Sequence, residues 1–198
     1  MRAVDDLIGR VVIALTQNGE LNNTVLIFTS DNGYMMGQHR IIESKSTPYE
    51  PAIRVPLLLR GPGVPSGVVR RQLVGTVDLA PTVARLARAS PTRELDGTSL
   101  LRLARDPSAM AGRDLVIEMG PPRIGGSMEF TGLRTRRYTY VVRQSGEREL
   151  YDLKKDPFQL SNLIGSPNLN PELEATLTEQ HAGMHACAGD ECRAQTPY

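Results

Sequence analysis

Apolar positions along the chain follow two periods, one typical of helices and one typical of buried strands. Near the start, apolar side chains recur every three or four residues, as on one face of a helix: Val4, Leu7, Ile8, Val11, Val12 and Leu15. Asn18-Gly19 then supplies a helix stop. The next apolar segment, Thr24 to Thr29, is continuous and contains β-branched residues. It predicts a strand buried on both faces of a parallel sheet.

Glycine and proline organise the centre of the chain. Residues 33–54 are predicted to form a long loop, because two glycines and two prolines interrupt regular structure there. Beyond this loop we expect a buried strand at 55–60 and a helix at 79–89 with Asp78 as its N-cap. A further strand is expected at 115–117.

The last third of the chain changes to an antiparallel pattern. Residues 138–142 and 149–153 alternate or cluster in strand-forming side chains around the turn at 144–147, which predicts a hairpin. Asn170 and Pro171 then start a final helix. We expect that helix to reach about His181, before a glycine weakens it.

Composition limits the possible functions only mildly. The chain has 198 residues, 40% of them hydrophobic, with 23 basic and 22 acidic side chains. This is enough for one globular domain with a core. A net charge of +1 gives no support for a nucleic-acid partner. No apolar run has membrane-spanning length, so no membrane span is expected.

The two cysteines lie close together near the C-terminus. Cys187 and Cys192 are separated by four residues, which permits a small disulfide or leaves two free thiols. A pair alone is too small a ligand set for a zinc site. Both interpretations of the pair stay open from the sequence.

The most informative polar residues follow the apolar run. Ser30-Asp31-Asn32-Gly33 places a carboxylate and a carboxamide at the end of the predicted strand. Ligands of open α/β sheets bind at the carboxyl ends of strands, and hard divalent cations prefer oxygen ligands. On these four residues alone, an ordinary turn is the simpler interpretation.

Longer motifs change that interpretation. SDNGYMMGQHR from Ser30 is followed by Lys45 and by PYEPAIRVPLLLRGPGV from Pro48, and later in the chain by GTVDLAPT, LDGTSLL and ELYDLKKDPFQLSNL. In this order they resemble the C-terminal catalytic segment of the type I sulfatases, within the alkaline phosphatase-like superfamily. The resemblance is greatest to the glucosamine-6-sulfatase-like and bacterial arylsulfatase branches. It extends from about Val4 to Leu163.

The resemblance implies a fold and a domain organisation. The fold class is α/β: the C-terminal part of an alkaline phosphatase-like sandwich, with a mixed sheet flanked by helices, followed by a small antiparallel sheet with a C-terminal helix. Residues 1–125 would belong to the catalytic domain and residues 126–185 to the small β subdomain. Residues 186–198 would form a tail, where some exported sulfatases carry a similar cysteine pair.

The same resemblance implies a set of site residues. In the family, calcium is held by four oxygen-bearing side chains, and Asp31 and Asn32 match two of them. Lys45 matches the lysine that contacts the sulfate of the substrate, although without the family it would be an ordinary loop lysine. His39 either lines the pocket or only hydrogen-bonds its own loop. Tyr49 and the following glutamate are expected to anchor the loop.

The nucleophile of the family has no counterpart in this sequence. Sulfatases use a formylglycine made from the Cys or Ser that opens a C-x-P-S-R motif, and neither cysteine here lies in one. The segment from Ala89 to Arg93 has proline and arginine at the right offsets but alanine at the reactive position. We therefore expect the chain to be the distal part of a sulfatase that needs an N-terminal half for activity. Alone, it should expose apolar area and be marginal in solution.

Three functional hypotheses follow from these observations. The first is part of a calcium-dependent sulfuric ester hydrolase acting on a sulfated sugar or an aryl sulfate. The second is an inactive remnant or binding module, and the third is a phosphoester hydrolase of the same superfamily. Relatives are commonly exported or lysosomal, but the chain carries no address, so its compartment and its oligomeric state stay open.

Overall fold

The computed structural model describes residues 2–120 and 129–193. Helices and strands alternate in the first part of this range, and a meander of antiparallel strands followed by helix dominates the second part. The helices are α1 (Arg2–Gln17), α2 (Glu50–Ile53), α3 (Leu79–Ala87), α4 (Leu100–Arg105), α5 (Pro171–Ala186) and α6 (Asp190–Arg193). The strands are β1 (Leu26–Thr29), β2 (Leu57–Arg60), β3 (Leu115–Met119), β4 (Phe130–Arg134), β5 (Tyr138–Arg143) and β6 (Arg148–Asp152).

The predicted first helix is confirmed, with a largely uncovered apolar face. α1 ends at Gln17, and Gly19 follows with a left-handed φ of +73°. No residue of α1 is buried, and Leu7 on its apolar face is 61% exposed. The amphipathic pattern therefore predicts the helix correctly. Within the described residues, no other element buries its apolar face.

The prediction of a doubly buried parallel strand is wrong for β1. This strand pairs antiparallel with β2, so that Leu26 lies opposite Arg60 and Thr29 opposite Leu57. Every residue of β1 is only partly buried. The reason is that a continuous apolar run encodes burial but not strand direction. The two strands form a two-stranded sheet within the described ranges.

The loop at 33–54 contains more regular structure than its prolines suggested. A 3₁₀ turn spans Gln38–Arg40, and α2 begins with proline in its first turn. Proline is tolerated there because the first N–H groups of a helix have no intrahelical acceptor. Short helices can therefore form beside the prolines without loss of a hydrogen bond.

Two helix boundaries and one cap also differ from the predictions. α3 stops at Ala87, because Arg88 adopts a left-handed φ of +53°. α5 continues to Ala186, beyond the predicted end near His181. A single glycine inside a helix costs only about 1 kcal/mol, which packing on the sheet offsets. Asp78 precedes α3, but its carboxylate makes no capping hydrogen bond to that helix.

The antiparallel part of the chain forms as predicted. β3, β4, β5 and β6 make a four-stranded antiparallel sheet in that order, and β5 and β6 are the predicted hairpin. Asn170 caps α5 by accepting a hydrogen bond from the backbone of Glu172 at 2.9 Å. α5 covers one face of the sheet over a core cluster of Leu133, Tyr140, Leu150 and Leu177.

The division into domains stays a prediction. The expected boundary at residues 125 and 126 lies outside the described residues, and so does the end of the expected tail. No helix in the described part of the chain has both the length and the apolarity that crossing a bilayer requires.

Candidate functional site

The turn after β1 is fastened to the chain by backbone hydrogen bonds. The N–H of Gly33 donates to the carbonyl of Ala52 at 2.7 Å, and that of Tyr34 donates to the carbonyl of Pro51 at 2.9 Å. A Cβ atom at position 33 would collide with the Pro51 carbonyl oxygen, so only glycine fits there. These contacts fix the direction in which Asp31 and Asn32 leave the strand.

The two oxygen-bearing side chains of this turn are accessible. Asp31 is exposed and Asn32 is partly buried. The Ser30 hydroxyl donates to the backbone carbonyl of Asn32 at 2.8 Å, which shapes the turn. The side-chain amide of Asn32 has no hydrogen-bond partner among the described residues. Its oxygen is therefore free to bind a ligand.

Lys45 reaches the same cavity from a closed loop. Met35 is fully buried, and its N–H donates to the carbonyl of Ser44 at 2.7 Å, so residues 35–44 form a loop with a narrow base. Lys45 follows directly and is exposed. Lys45, Asp31 and Asn32 all line one cavity of about 1030 Å³. The structure thus brings three of the four predicted site residues to one cavity.

His39 differs from these three side chains in its contacts. Its ring stacks on that of Tyr49, with centroids 3.8 Å apart and planes 7° apart, and it does not line the cavity. Tyr49 and Glu50 anchor the loop as predicted: the Tyr49 hydroxyl donates to Glu149, and Arg134 donates to the Glu50 carboxylate at 2.7 Å. A pocket role for His39 stays a prediction.

The comparisons with known proteins cover almost the whole chain. Residues 1–89 match the sulfatase family model. Over 224 residues the chain is 34% identical to the N-acetylglucosamine-6-sulfatase of Bos taurus, covering 96% of this chain and 40% of that enzyme. The chain belongs to the sulfatase family. The chain spans only 40% of the length of this relative.

Solved structures agree with this sulfatase assignment. A protein solved in complex with its substrate D-glucosamine-2-N,6-O-disulfate matches with a TM-score of 0.82 and 25% identity, over 96% of this chain and 39% of that one. The phosphonate monoester hydrolase of Agrobacterium radiobacter matches with a TM-score of 0.72 and 28% identity, over 90% of this chain and 39% of that one. The predicted α/β, alkaline phosphatase-like fold class is confirmed.

The donor set of this sulfatase chain fits part of a metal site. Carboxylate and amide oxygens such as those of Asp31 and Asn32 suit calcium, which takes six to eight oxygen ligands. Across residues 2–120 and 129–193, however, no cluster of three or more His, Cys, Asp or Glu side chains has metal-binding geometry. The two residues can therefore supply only a fraction of a coordination shell.

The cavity also contains residues that the motifs did not indicate. Arg71 and Arg136 line it, are exposed, and have no ion-pair partner in the described part of the chain. His185 and the two cysteines line it as well. No local period or motif identifies these residues, because they reach the cavity from segments far apart in the sequence.

The cysteine pair is bridged. Cys187 and Cys192 form a disulfide. The loop that it closes is attached to the segment before α4, since the N–H of Gly189 donates to Asp96 at 2.7 Å and Arg193 donates to the carbonyl of Leu95. These hydrogen bonds hold the bridged loop of residues 187–193 against the wall of the cavity.

Proposed function

We propose that this chain contributes part of the active site of a sulfuric ester hydrolase. In this site Asp31 and Asn32 supply two oxygen ligands of a calcium ion, and Lys45 binds the sulfate group of the substrate. The observation that carries the proposal is that these three side chains line the same cavity. They reach it from two different segments, the turn after β1 and the loop closed at Ser44.

The chemistry of the reaction explains these roles. Hydrolysis of a sulfate ester requires a nucleophile, positive charge around the sulfuryl oxygens and a proton donor for the leaving oxygen. The Lys45 ammonium is a compact charge suited to an oxyanion, and no carboxylate pairs with it in the described residues. Calcium, when bound, would add positive charge beside the same oxygens. His39 would act at the edge of the pocket, on the loop that holds Lys45.

The remaining groups would come from a different segment. We propose that a segment with a C-x-P-S-R motif and an aspartate pair completes the nucleophile and the metal shell, as the family resemblance implies. The chain by itself is then expected to be inactive. This agrees with the incomplete donor set at Asp31 and Asn32.

The proposed substrate class is a sulfated sugar. It is supported by the bovine relative, which is named for N-acetylglucosamine 6-sulfate, and by the neighbour solved with a disulfated glucosamine. A cavity of about 1030 Å³ has room for a sugar ring with its substituents.

A second candidate is hydrolysis of phosphonate or phosphate monoesters. The observation that favours it is the similarity to a phosphonate monoester hydrolase. The same cation and oxygen ligands would suit a tetrahedral phosphorus centre, so the fold does not separate the two chemistries. Only the ester that is cleaved distinguishes them.

The test is reconstitution of the full chain with a matured N-terminal sulfatase segment that carries the C-x-P-S-R motif. Release of p-nitrophenol is measured from p-nitrophenyl sulfate and from p-nitrophenyl phenylphosphonate, with calcium and with a chelator. We expect calcium-dependent cleavage of the sulfate ester only in the mixture. Replacing Lys45→Ala should lower kcat/KM by about a hundredfold, as loss of an oxyanion-binding group does. Lys154→Ala, which removes an exposed lysine outside the cavity, is the matched control.

Each outcome separates the hypotheses. Turnover by the chain alone would overturn the proposal that the nucleophile lies elsewhere. Preferred cleavage of the phosphonate would favour the second candidate. A mixture without activity on either ester would support the inactive remnant.

A further inference from the structure

A buried carboxylate of the four-stranded sheet contacts the loop of residues 33–54, which carries His39 and Lys45. Glu149 on β6 is 5% exposed, and its Oε2 accepts a hydrogen bond from the Tyr49 hydroxyl at 3.2 Å, across 100 residues of sequence. The same oxygen accepts from the Tyr151 hydroxyl at 2.8 Å, and the other oxygen accepts from Arg143. The carboxylate therefore collects three donors, of which one belongs to the loop.

The two phenols remain donors throughout the physiological range. Burial, and then the nearby charge of Glu149, raises the pKa of Tyr49. Burial also raises the pKa of Tyr151, followed by its hydrogen bond to the same carboxylate. Because both hydroxyls stay protonated near neutral pH, each remains able to donate to the Glu149 carboxylate there.

Tyr49 transmits this anchoring to the turn around His39. The two rings stack with centroids 3.8 Å apart. His39 and Arg40 have left-handed φ angles of +54° and +60°, which non-glycine residues adopt at an energetic cost. Such a turn persists only where its surroundings hold it, and the stacked ring of Tyr49 is one of those contacts.

The next residues tie the same segment to the loop after β6 and to the strand tip. The N–H of Glu50 donates to the side-chain oxygen of Gln159 at 2.7 Å, and Gln159 is fully buried. Pro51 and Ala52 accept the two backbone hydrogen bonds from the turn that carries Asp31 and Asn32. A single short segment therefore connects the small sheet to both halves of the candidate site.

We propose that Glu149 is a positioning residue of this site, which through Tyr49 fixes the loop carrying His39 and Lys45. Glu149 is absent from the cavity lining and buried, so it acts through Tyr49 instead of on the substrate. The four-stranded sheet is then a structural part of the site. The inference rests on the proposed function for the identity of the site, whereas the ordering of the loop can be measured separately.

The test compares two buried carboxylates of the same strand in the full 198-residue chain. Glu149→Gln removes the charge that holds Tyr49 and keeps the side-chain shape. Asp152→Asn is the matched control, since Asp152 is 6% exposed and pairs with Arg137 but does not contact the loop. Amide hydrogen exchange is followed in peptides covering residues 35–52, where several amides are hydrogen-bonded, and in peptides covering α4.

The expected result is a selective loosening of the loop. Glu149→Gln should accelerate exchange at residues 35–52 by about tenfold or more and leave α4 unchanged, whereas Asp152→Asn should change neither. Tyr49→Phe, which keeps the ring stacked on His39 but loses the hydroxyl, should give an intermediate acceleration. This milder variant keeps the test valid if Glu149→Gln does not fold.

Two results would overturn the positioning role. One is an equal acceleration at residues 35–52 in Asp152→Asn, which would reduce Glu149 to a general stabiliser of the sheet. The other is unchanged exchange in Tyr49→Phe.

In the reconstituted enzyme, Glu149→Gln should lower kcat/KM about tenfold, and Asp152→Asn should not. If the loop loosens selectively but the unsubstituted mixture has no sulfatase activity, the proposed function is refuted and the ordering role of Glu149 stands.

Discussion

One guanidinium nitrogen of Arg113 donates to both carboxylate oxygens of Asp78, at 2.9 and 2.8 Å, and both side chains are almost fully buried. The carboxylate also accepts from the backbone N–H groups of Gly75 at 2.9 Å and Thr98 at 2.7 Å. Asp78 therefore joins its own segment to two others that are distant in sequence, at Thr98 and at Arg113. The ion pair with Arg113 explains the burial of Asp78 better than the helix cap that was predicted from its position.

Replacing Asp78→Ala should destabilise the fold strongly. It leaves the Arg113 charge buried without a partner, and breaking such a pair typically costs about 3–5 kcal/mol. The free energy of unfolding from urea titration measures the effect. Asp190→Ala, which breaks a pair in which the acid is 93% exposed, is the control and should cost less than about 1 kcal/mol. Equal losses in the two variants would contradict the central role of Asp78.

The uncovered face of α1 should cause the isolated chain to associate. Replacing Leu7→Lys puts a charge on that face and should weaken self-association at least tenfold, because burying a leucine contributes about 1.5–3 kcal/mol. Sedimentation velocity over a concentration series measures this. Ile13→Lys is the matched control, since Ile13 is similarly exposed at 57% but lies outside the apolar stripe. A chain that stays monomeric without any substitution would refute the prediction.

Stability should decrease as the pH falls below about 6.5, because of His181. Burial, and then the charge of His185, lowers the pKa of His181 in the folded state. In the unfolded chain a histidine titrates near 6.5, so below that pH the unfolded state binds the proton more readily. The stability contributed by the neutral ring is full above pH 6.5 and is lost as the pH falls through the lower, folded-state pKa.

The variant His181→Gln should remove this pH dependence. The difference in the free energy of unfolding between the two proteins is measured at pH 7.5, 6.5 and 5.5, above the range where ordinary carboxylates titrate. It should shrink steadily towards pH 5.5. A difference that is constant across this range would show that His181 contributes packing alone, including its contact with Thr131.

Loss of the disulfide should release the C-terminal loop from the cavity wall. The double change Cys187→Ser and Cys192→Ser removes a short cross-link and should cost about 2 kcal/mol in the free energy of unfolding. Limited proteolysis at residues 187–193 should accelerate. Asp96→Asn weakens the bond to Gly189 but keeps the cross-link, so it should accelerate proteolysis less. Identical cleavage rates in all three proteins would contradict this prediction.

Local patterns predicted the elements that depend on neighbouring residues. The period of α1, the Asn170 cap of α5 and the β5–β6 hairpin were all predictable, because each depends on residues a few positions apart. Asp31, Asn32 and Lys45 were proposed from the motifs, and the structure brings them to one cavity.

Contacts over long sequence separations were not predictable in this way. Asp78 meets Arg113 across 35 residues, and Tyr49 meets Glu149 across 100 residues. No hydrophobic period or turn signal encodes such a pairing, because it depends on how the elements pack. The direction of β1 was missed for the same reason, since burial of a strand does not define its neighbour.

The attachment of the Asp31–Asn32 turn has a consequence for variation in this region. Its two bonds to residues 51 and 52 join main-chain atoms only, so most exchanges of surrounding side chains leave the geometry of the oxygen donors unchanged. Gly33 is the exception, because a Cβ atom there would collide with the backbone carbonyl oxygen of Pro51. The direction of the oxygen donors therefore depends on the backbone of the turn and on Gly33 more than on the side chains packed around it.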